Sequence, residues 1–180
     1  MVTIIPAAPL DGPAVLPDAL VDQYVKPEAG QAALLDAFRL TALTWVEQHT
    51  SRSLVRRRWI AMFDGFDDIM RLPRDPVRSV ISLAYVDQNG IVANGEGLWR
   101  IAGARLLPAI NTTWPITADR GSAVTVTFEA GYDDVASEAP ALQVAALLLM
   151  KHLFDGGSLN DVPATVTLLL DAQYRTPVIG

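Results

Sequence analysis

The sequence predicts an α+β protein, a helical bundle with an antiparallel β-rich insertion between its N-terminal and C-terminal helices. Three observations predict it. Between about Pro27 and Thr50 apolar residues recur at spacings of three and four, the period of one helix face. From Ala123 to Phe128 they alternate singly with polar residues, the period of a half-buried strand. From Ser137 to about Phe154 the composition becomes helical again. Residues 1–180 are read as one domain. Its parts are a Pro-rich arm (1–17), N-terminal helices (18–52), the β-rich insertion (53–130), C-terminal helices (137–173) and a tail (174–180). This length is enough to bury a sizeable core.

The opening segment MVTIIPAAPLDGPAVLP is apolar, but it has no basic residue, and Pro6, Pro9 and Pro13 interrupt it. A secretory signal needs a positive start and an unbroken apolar run, so that reading is rejected. A short helix is expected over Asp18–Val25, and Pro27 restarts the chain into a long one. Leu34, Leu35, Phe38, Ala42, Trp45, Val46 and His49 form its apolar stripe, with Asp36, Arg39 and Glu47 on a different face.

Strands are expected at Leu54–Phe63, at Ile69–Leu72 (closed by Pro73) and at Val77–Val86, whose composition favours β-structure. Asp87-Gln88-Asn89-Gly90 reads as a hairpin turn, because Asn-Gly accepts the positive φ angles that tight hairpins need. Leu98–Ile101 and Arg105–Leu107 form a short pair around Gly103. The last strand is Ala123–Phe128.

Ser137-Glu138-Ala139-Pro140 suits a helix start, since Pro tolerates the first turn and Glu favours the positive dipole end. Through Val144, Ala145, Leu147, Leu148, Leu149 and Met150 this helix has no polar side. A helix apolar all round must be buried all round, so neighbouring subunits are expected to cover it together with its own core. Lys151 and His152 suit its negative end, and Asp155-Gly156-Gly157 stops it. Pro163 opens a last helix through about Gln173.

Hydrophobic residues make up 51% of the chain and charged residues 19%. So apolar a composition leaves apolar surface over, and such surface marks partner interfaces. A net charge of −6 argues against gripping nucleic acid, which needs clustered Lys and Arg. With no cysteine, disulfides, thiolate metal sites and a cysteine nucleophile are excluded. The longest later apolar run, Ala141–Met150, is too short to span a bilayer. The chain is read as soluble, without a membrane partner.

No catalytic, metal or cofactor-binding residue is assigned. Asp64, Asp67 and Asp68, Asp133 and Asp134, and Asp155 and Asp161 lie beside glycines. Calcium would want such oxygens, but the EF-hand ligand spacing is missing, and turn chemistry accounts for them. His49 and His152 end helices without a partner motif and fit the dipole there. No phosphate loop and no GxSxG occurs. Arg56, Arg57 and Arg58 beside Trp59 are basic enough to meet nucleic acid, but on a strand consecutive side chains face opposite ways. They are assigned instead to a solvated edge or to inter-subunit contacts, together with Trp59, Leu147, Leu148 and Met150. Trp45, Trp59, Trp99 and Trp114 are interface anchors or core residues.

The order of segments carries a resemblance. W-V-E-x-x-T-x-R ends the long helix (Trp45–Arg52). R-L-P-x-x-P-V-x-S-V spans Arg71–Val80, and V-T-F-x-A-G-Y spans Val126–Tyr132. Over about residues 17–175 this ordered set resembles the head–tail connector (adaptor) proteins of long-tailed phages and phage-like gene transfer agents. That resemblance implies a structural virion protein, not an enzyme. It implies a homo-oligomeric ring, typically dodecameric, under the portal protein. The ring continues the DNA channel without specific DNA binding and offers a docking surface to stopper or tail proteins. It further implies a portal-docking tail, here Tyr174, Arg175, Thr176, Pro177, Val178, Ile179 and Gly180. Location in the particle, at the head–tail interface, follows from the same likeness. The alternatives are a stopper or tail-terminator of the same particle and, resting only on the acidic turns, a small ligand-binding domain or enzyme.

Overall fold

The computed structural model describes residues 2–28 and 30–174. The chain forms two compact units, each with its own core. One is built from the chain through Pro9 and Arg56–Gly131, the other from Leu10–Val55 and the chain from Tyr132 onward.

The first unit is all β. Strands β1 (Val2–Pro6), β2 (Arg57–Phe63), β8 (Val124–Ala130), β4 (Val77–Val86) and β5 (Val92–Asn94) lie in that order in one antiparallel sheet. A smaller sheet has the order β3 (Met70–Arg71), β7 (Arg105–Pro108), β6 (Trp99–Ala102). Alternation puts Val124, Val126, Phe128 and Ala130 of β8 on the dry face, opposite Trp59, Ala61 and Phe63 of β2. Met70 and Leu106 of the smaller sheet complete this core. The Asp87–Gly90 turn forms as expected, with Gly90 at φ +81° and Asp87 accepting the N–H groups of Asn89 and Ile91. Those bonds, Ile91's first, hold the Asp87 carboxyl below its ordinary pKa.

The second unit is helical, with α1 (Gly12–Val15), α2 (Asp18–Val25), α3 (Ala32–Thr50), α4 (Val135–Glu138), α5 (Pro140–Phe154) and α6 (Ala164–Tyr174). The long helix starts at Ala32, after Gly30 turns the chain at φ +91°. The closing helix breaks at Ala139, because Pro140 pushes the residue before it out of helical geometry. The arm, for which no element is expected from sequence, contains β1 and α1.

Two expectations are corrected. The buried stripe of α3 is Leu35, Arg39, Ala42, Leu43, Val46, Glu47 and Thr50. Leu34 is exposed, and of the three charged residues expected on the wet face Asp36 stays exposed, while Arg39 and Glu47 are inside. Their partners explain this. Arg39 reaches Asp18 at 2.6 Å and Asp36 at 3.4 Å, and buried Glu47 accepts the Leu54 N–H at 2.8 Å beyond the helix end. A buried charge is tolerated when paired and hydrogen-bonded in this way. Glu47→Ala is expected to lower stability by about 1–3 kcal/mol, the worth of a buried donor left unsatisfied; urea unfolding checks it.

The second correction concerns α5. It packs against α2, α3, α4 and α6 of its own unit. Phe38 meets Phe154 edge to face, with ring centroids 6.4 Å apart. Gln143, the one polar break in the run, donates to the Val15 carbonyl at 2.7 Å. Val144 is exposed and Leu148 half-buried. One copy therefore covers most of this helix.

Candidate assembly surfaces

The arginine run begins at the entry to β2. Its side chains alternate, so Arg56 and Arg58 share one face and Arg57 takes the other. Arg56 meets Glu129 of β8 through Nη2 at 3.0 Å and Nε at 3.3 Å, and Arg58 lies 3.9 Å from the same carboxylate. On the dry side the Arg57 guanidinium sits 4.5 Å from the Trp59 ring centroid, and that of Arg74 sits 5.0 Å from it. Trp59 is 3% exposed. Such cation–π contacts join charge to a buried ring. Within one copy this is an ordered basic edge, with Arg56 and Arg58 presented to solvent and paired across the sheet.

Leu147 and Met150 are 9% and 0% exposed, so within one copy Met150 has no surface to offer. Apolar surface lies elsewhere. In the helical unit Leu34, Leu40, Leu159 and Leu168 are exposed, and a shallow groove of about 310 Å³ runs past Leu40, Trp45 and Leu159. In the β unit Ile69, Ile91, Val92, Ile110 and Ile116 stand in solvent. Sequence reasoning missed them because they sit in turns and at strand ends, where no period marks a face.

At the end of α6, Arg52 places its guanidinium 5.0 Å from the Tyr174 ring centroid and donates to the Tyr132 hydroxyl at 2.9 Å. Burial first, then the neighbouring Tyr132, raises the Tyr174 hydroxyl above its ordinary pKa, with Arg52 opposing. The chain leaves this clamp towards Arg175–Gly180, which lie outside the described residues. Arg52→Ala is expected to loosen the last turn of α6, raising amide exchange around Tyr174 about three- to fivefold, as loss of one contact of about 0.5–1 kcal/mol would.

The acidic groups act in turns and caps. Asp134 caps α4, and Glu138 accepts the N–H groups of Asp133 and Asp134. Asp161 accepts from the Ser158 hydroxyl and N–H, which with His152 hold its carboxyl below the ordinary value. A carboxyl with a lowered folded pKa stabilises above its unfolded pKa and loses that effect as pH falls through the folded one. Amide protection at Ser158 should therefore hold at neutral pH and fall once the medium drops below about pH 4. His49 pairs with Asp171 at 3.0 Å and stacks on Trp45. Among the described residues no group of three or more His, Asp or Glu converges to hold a metal ion. An open pocket of about 440 Å³ beside stacked Phe66 and Trp114 contains one carboxylate, Asp68, and no nucleophile–base pair.

No protein-family model matches the chain, and no curated protein matches it. Solved structures do. The chain is similar to a protein in the neck of an empty gene transfer agent particle computed with C6 symmetry, at 22% identity and a TM-score of 0.80. It is similar to one in the virion of a native gene transfer agent particle, at 22% identity and a TM-score of 0.79. A third likeness, at 23% identity and a TM-score of 0.75, is to the neck of the native particle computed with C12 symmetry. Each match covers 99% of this chain and 98% of the other. This chain thus shares one α+β fold with each of them from end to end.

Proposed function

We propose that this protein is a structural component of the neck of a phage-like particle, an adaptor that forms a ring below the portal. The ring joins the DNA-filled head to the stopper or tail and continues the DNA channel. One observation carries this reading, the end-to-end likeness of fold to proteins of gene transfer agent particles, two of them described in the neck. The C12 symmetry of one such neck supports a dodecameric ring. The charge balance supports a passage more than a grip, since net charge is −6 and Glu129 partly neutralises Arg56 and Arg58. The adaptor's portal contact is assigned to the tail expected over Tyr174–Gly180, of which Tyr174 closes α6 under Arg52 and residues 175–180 carry the contact.

Electron microscopy of the chain mixed with the portal of its own particle tests the reading. The expected result is a ring of stoichiometric density on the portal. Binding to the tail tube but not to the portal would overturn the adaptor role in favour of a stopper or tail-terminator. Deleting residues 175–180 is expected to weaken portal affinity at least tenfold while the melting temperature stays unchanged, because terminal segments bury little. Unaltered affinity would remove the docking-arm assignment.

A further inference from the structure

We infer that copies of this chain join edge to edge through the β unit, with β1 of one copy adding as an antiparallel strand to the outer edge of β4 in the next. The inference rests on the ring reading above and names the contact that would close it.

The five-stranded sheet has two unlike ends. At one end lies β1, the segment Val2-Thr3-Ile4-Ile5-Pro6, with Val2 and Ile5 each 44% exposed. Its hydrogen-bond register follows from the Ala7 N–H, which donates to the Arg58 carbonyl at 2.9 Å. Alternation along an antiparallel pair then turns the backbone groups of Thr3 and Ile5 towards β2 and those of Val2 and Ile4 outward. Pro6 takes an outward position, where its missing N–H breaks no bond within the sheet. The strand carries no charged side chain, although charge is a common guard of exposed edges.

At the other end β5 covers only Ala84–Val86 of β4. Past Leu83, whose carbonyl accepts the Gly95 N–H, no strand among the described residues pairs with Val77–Ser82 on the side away from β8. That stretch adjoins a notch of about 260 Å³ formed by Ile81, Leu83 and Trp99 with Ser82, Asn94 and Glu96. Ile81 is 45% exposed there. Register shifts after Val77 and Val80 bend the edge, which discourages pairing with an arbitrary strand.

Three features select a second copy as the occupant. The first is direction. β1 is antiparallel to β2, β2 to β8 and β8 to β4, so β1 of an adjoining copy meets β4 antiparallel when the sheet continues. The second is length: a five-residue uncharged strand faces a six-residue edge beside a notch in which Ile81, Leu83 and Trp99 supply the apolar part. The third is symmetry. The two edges differ and lie at opposite ends of one sheet, so their contact is head-to-tail, the type that closes into a cyclic ring. A self-complementary β1–β1 contact would stop at a dimer.

The chain has no cysteine, so engineered pairs report cleanly. Full-length Ile4→Cys, Ile81→Cys and the double variant are mixed with the portal and treated with a short bis-maleimide, with electron microscopy of the same samples. The expected result is a ladder extending past dimer for the double variant and no cross-linked dimer for either single one. Dimers from Ile4→Cys alone would overturn the inference, as would rings in the micrographs without a ladder. Absence of both rings and ladder would sink the ring reading along with it. Ile4→Pro supplies a second readout: it removes an outward N–H and no bond to β2, so the monomer keeps its circular dichroism. Ring formation should weaken about fivefold per contact, the net worth of one hydrogen bond. Undiminished ring formation in Ile4→Pro would also overturn the inference.

Discussion

Met150→Asp is expected to unfold the helical unit outright, before any effect on assembly is reached. Met150 is fully buried in α5, within the core shared with Leu43, Leu149 and Leu170. A carboxylate placed there is taken out of water among apolar side chains, and desolvating it lowers stability by several kcal/mol, a large share of what a domain possesses. The exposed control is Leu168→Asp on α6, at 67% exposure, expected to change stability by less than about 0.5 kcal/mol. Helical circular dichroism against urea separates the two. A Met150→Asp chain that melts like wild type yet no longer assembles would show that this side chain serves neighbours instead of its own core.

Phe128→Ala is the corresponding expectation for the β unit. Phe128 is fully buried, opposite Trp59 on β2 and Val80 on β4. Removing such a ring leaves a cavity and destabilises by about 3–5 kcal/mol. The tryptophans locate the loss. Trp59, Trp99 and Trp114 report on the β unit, and Trp45 reports on the helical one. Fluorescence from the first three should show a lowered unfolding midpoint, and a variant retaining only Trp45 should not. A single shared shift in both would mean that the two units unfold as one.

The elements legible in the sequence are those marked by a period, by a β-favouring composition or by local turn chemistry. Helix α2 and strand β4 fall at the expected residues, and the Asn89-Gly90 turn forms because positive φ is a local preference. β1 was illegible, since Val2–Pro6 lacks a polar alternation and becomes a strand only because β2 presents an edge to it. The buried Arg39 and Glu47 were illegible for a related reason. Charge read alone implies solvent, and only the approach of Asp18 and the Leu54 N–H makes burial tolerable. Of the candidate assembly residues, the arginine run could be placed on alternating faces from strand geometry. That Glu129 lies across from Arg56 required the pairing of β2 with β8.

By itself the sequence determined the α+β class, the helix–strand–helix succession from Asp18 onward, and the turn and cap chemistry, because these depend on neighbours within a few residues. Only the tertiary structure decided which apolar surface is left over. Helix α5, greasy on every side, is mostly covered by α2, α3, α4 and α6 of its own unit, whereas among the described residues no further strand pairs with the outer side of β1 or with Val77–Ser82 of β4. Burial depends on what other segments bring against a side chain, and that information lies in the packing of distant parts of the chain, where no local period records it.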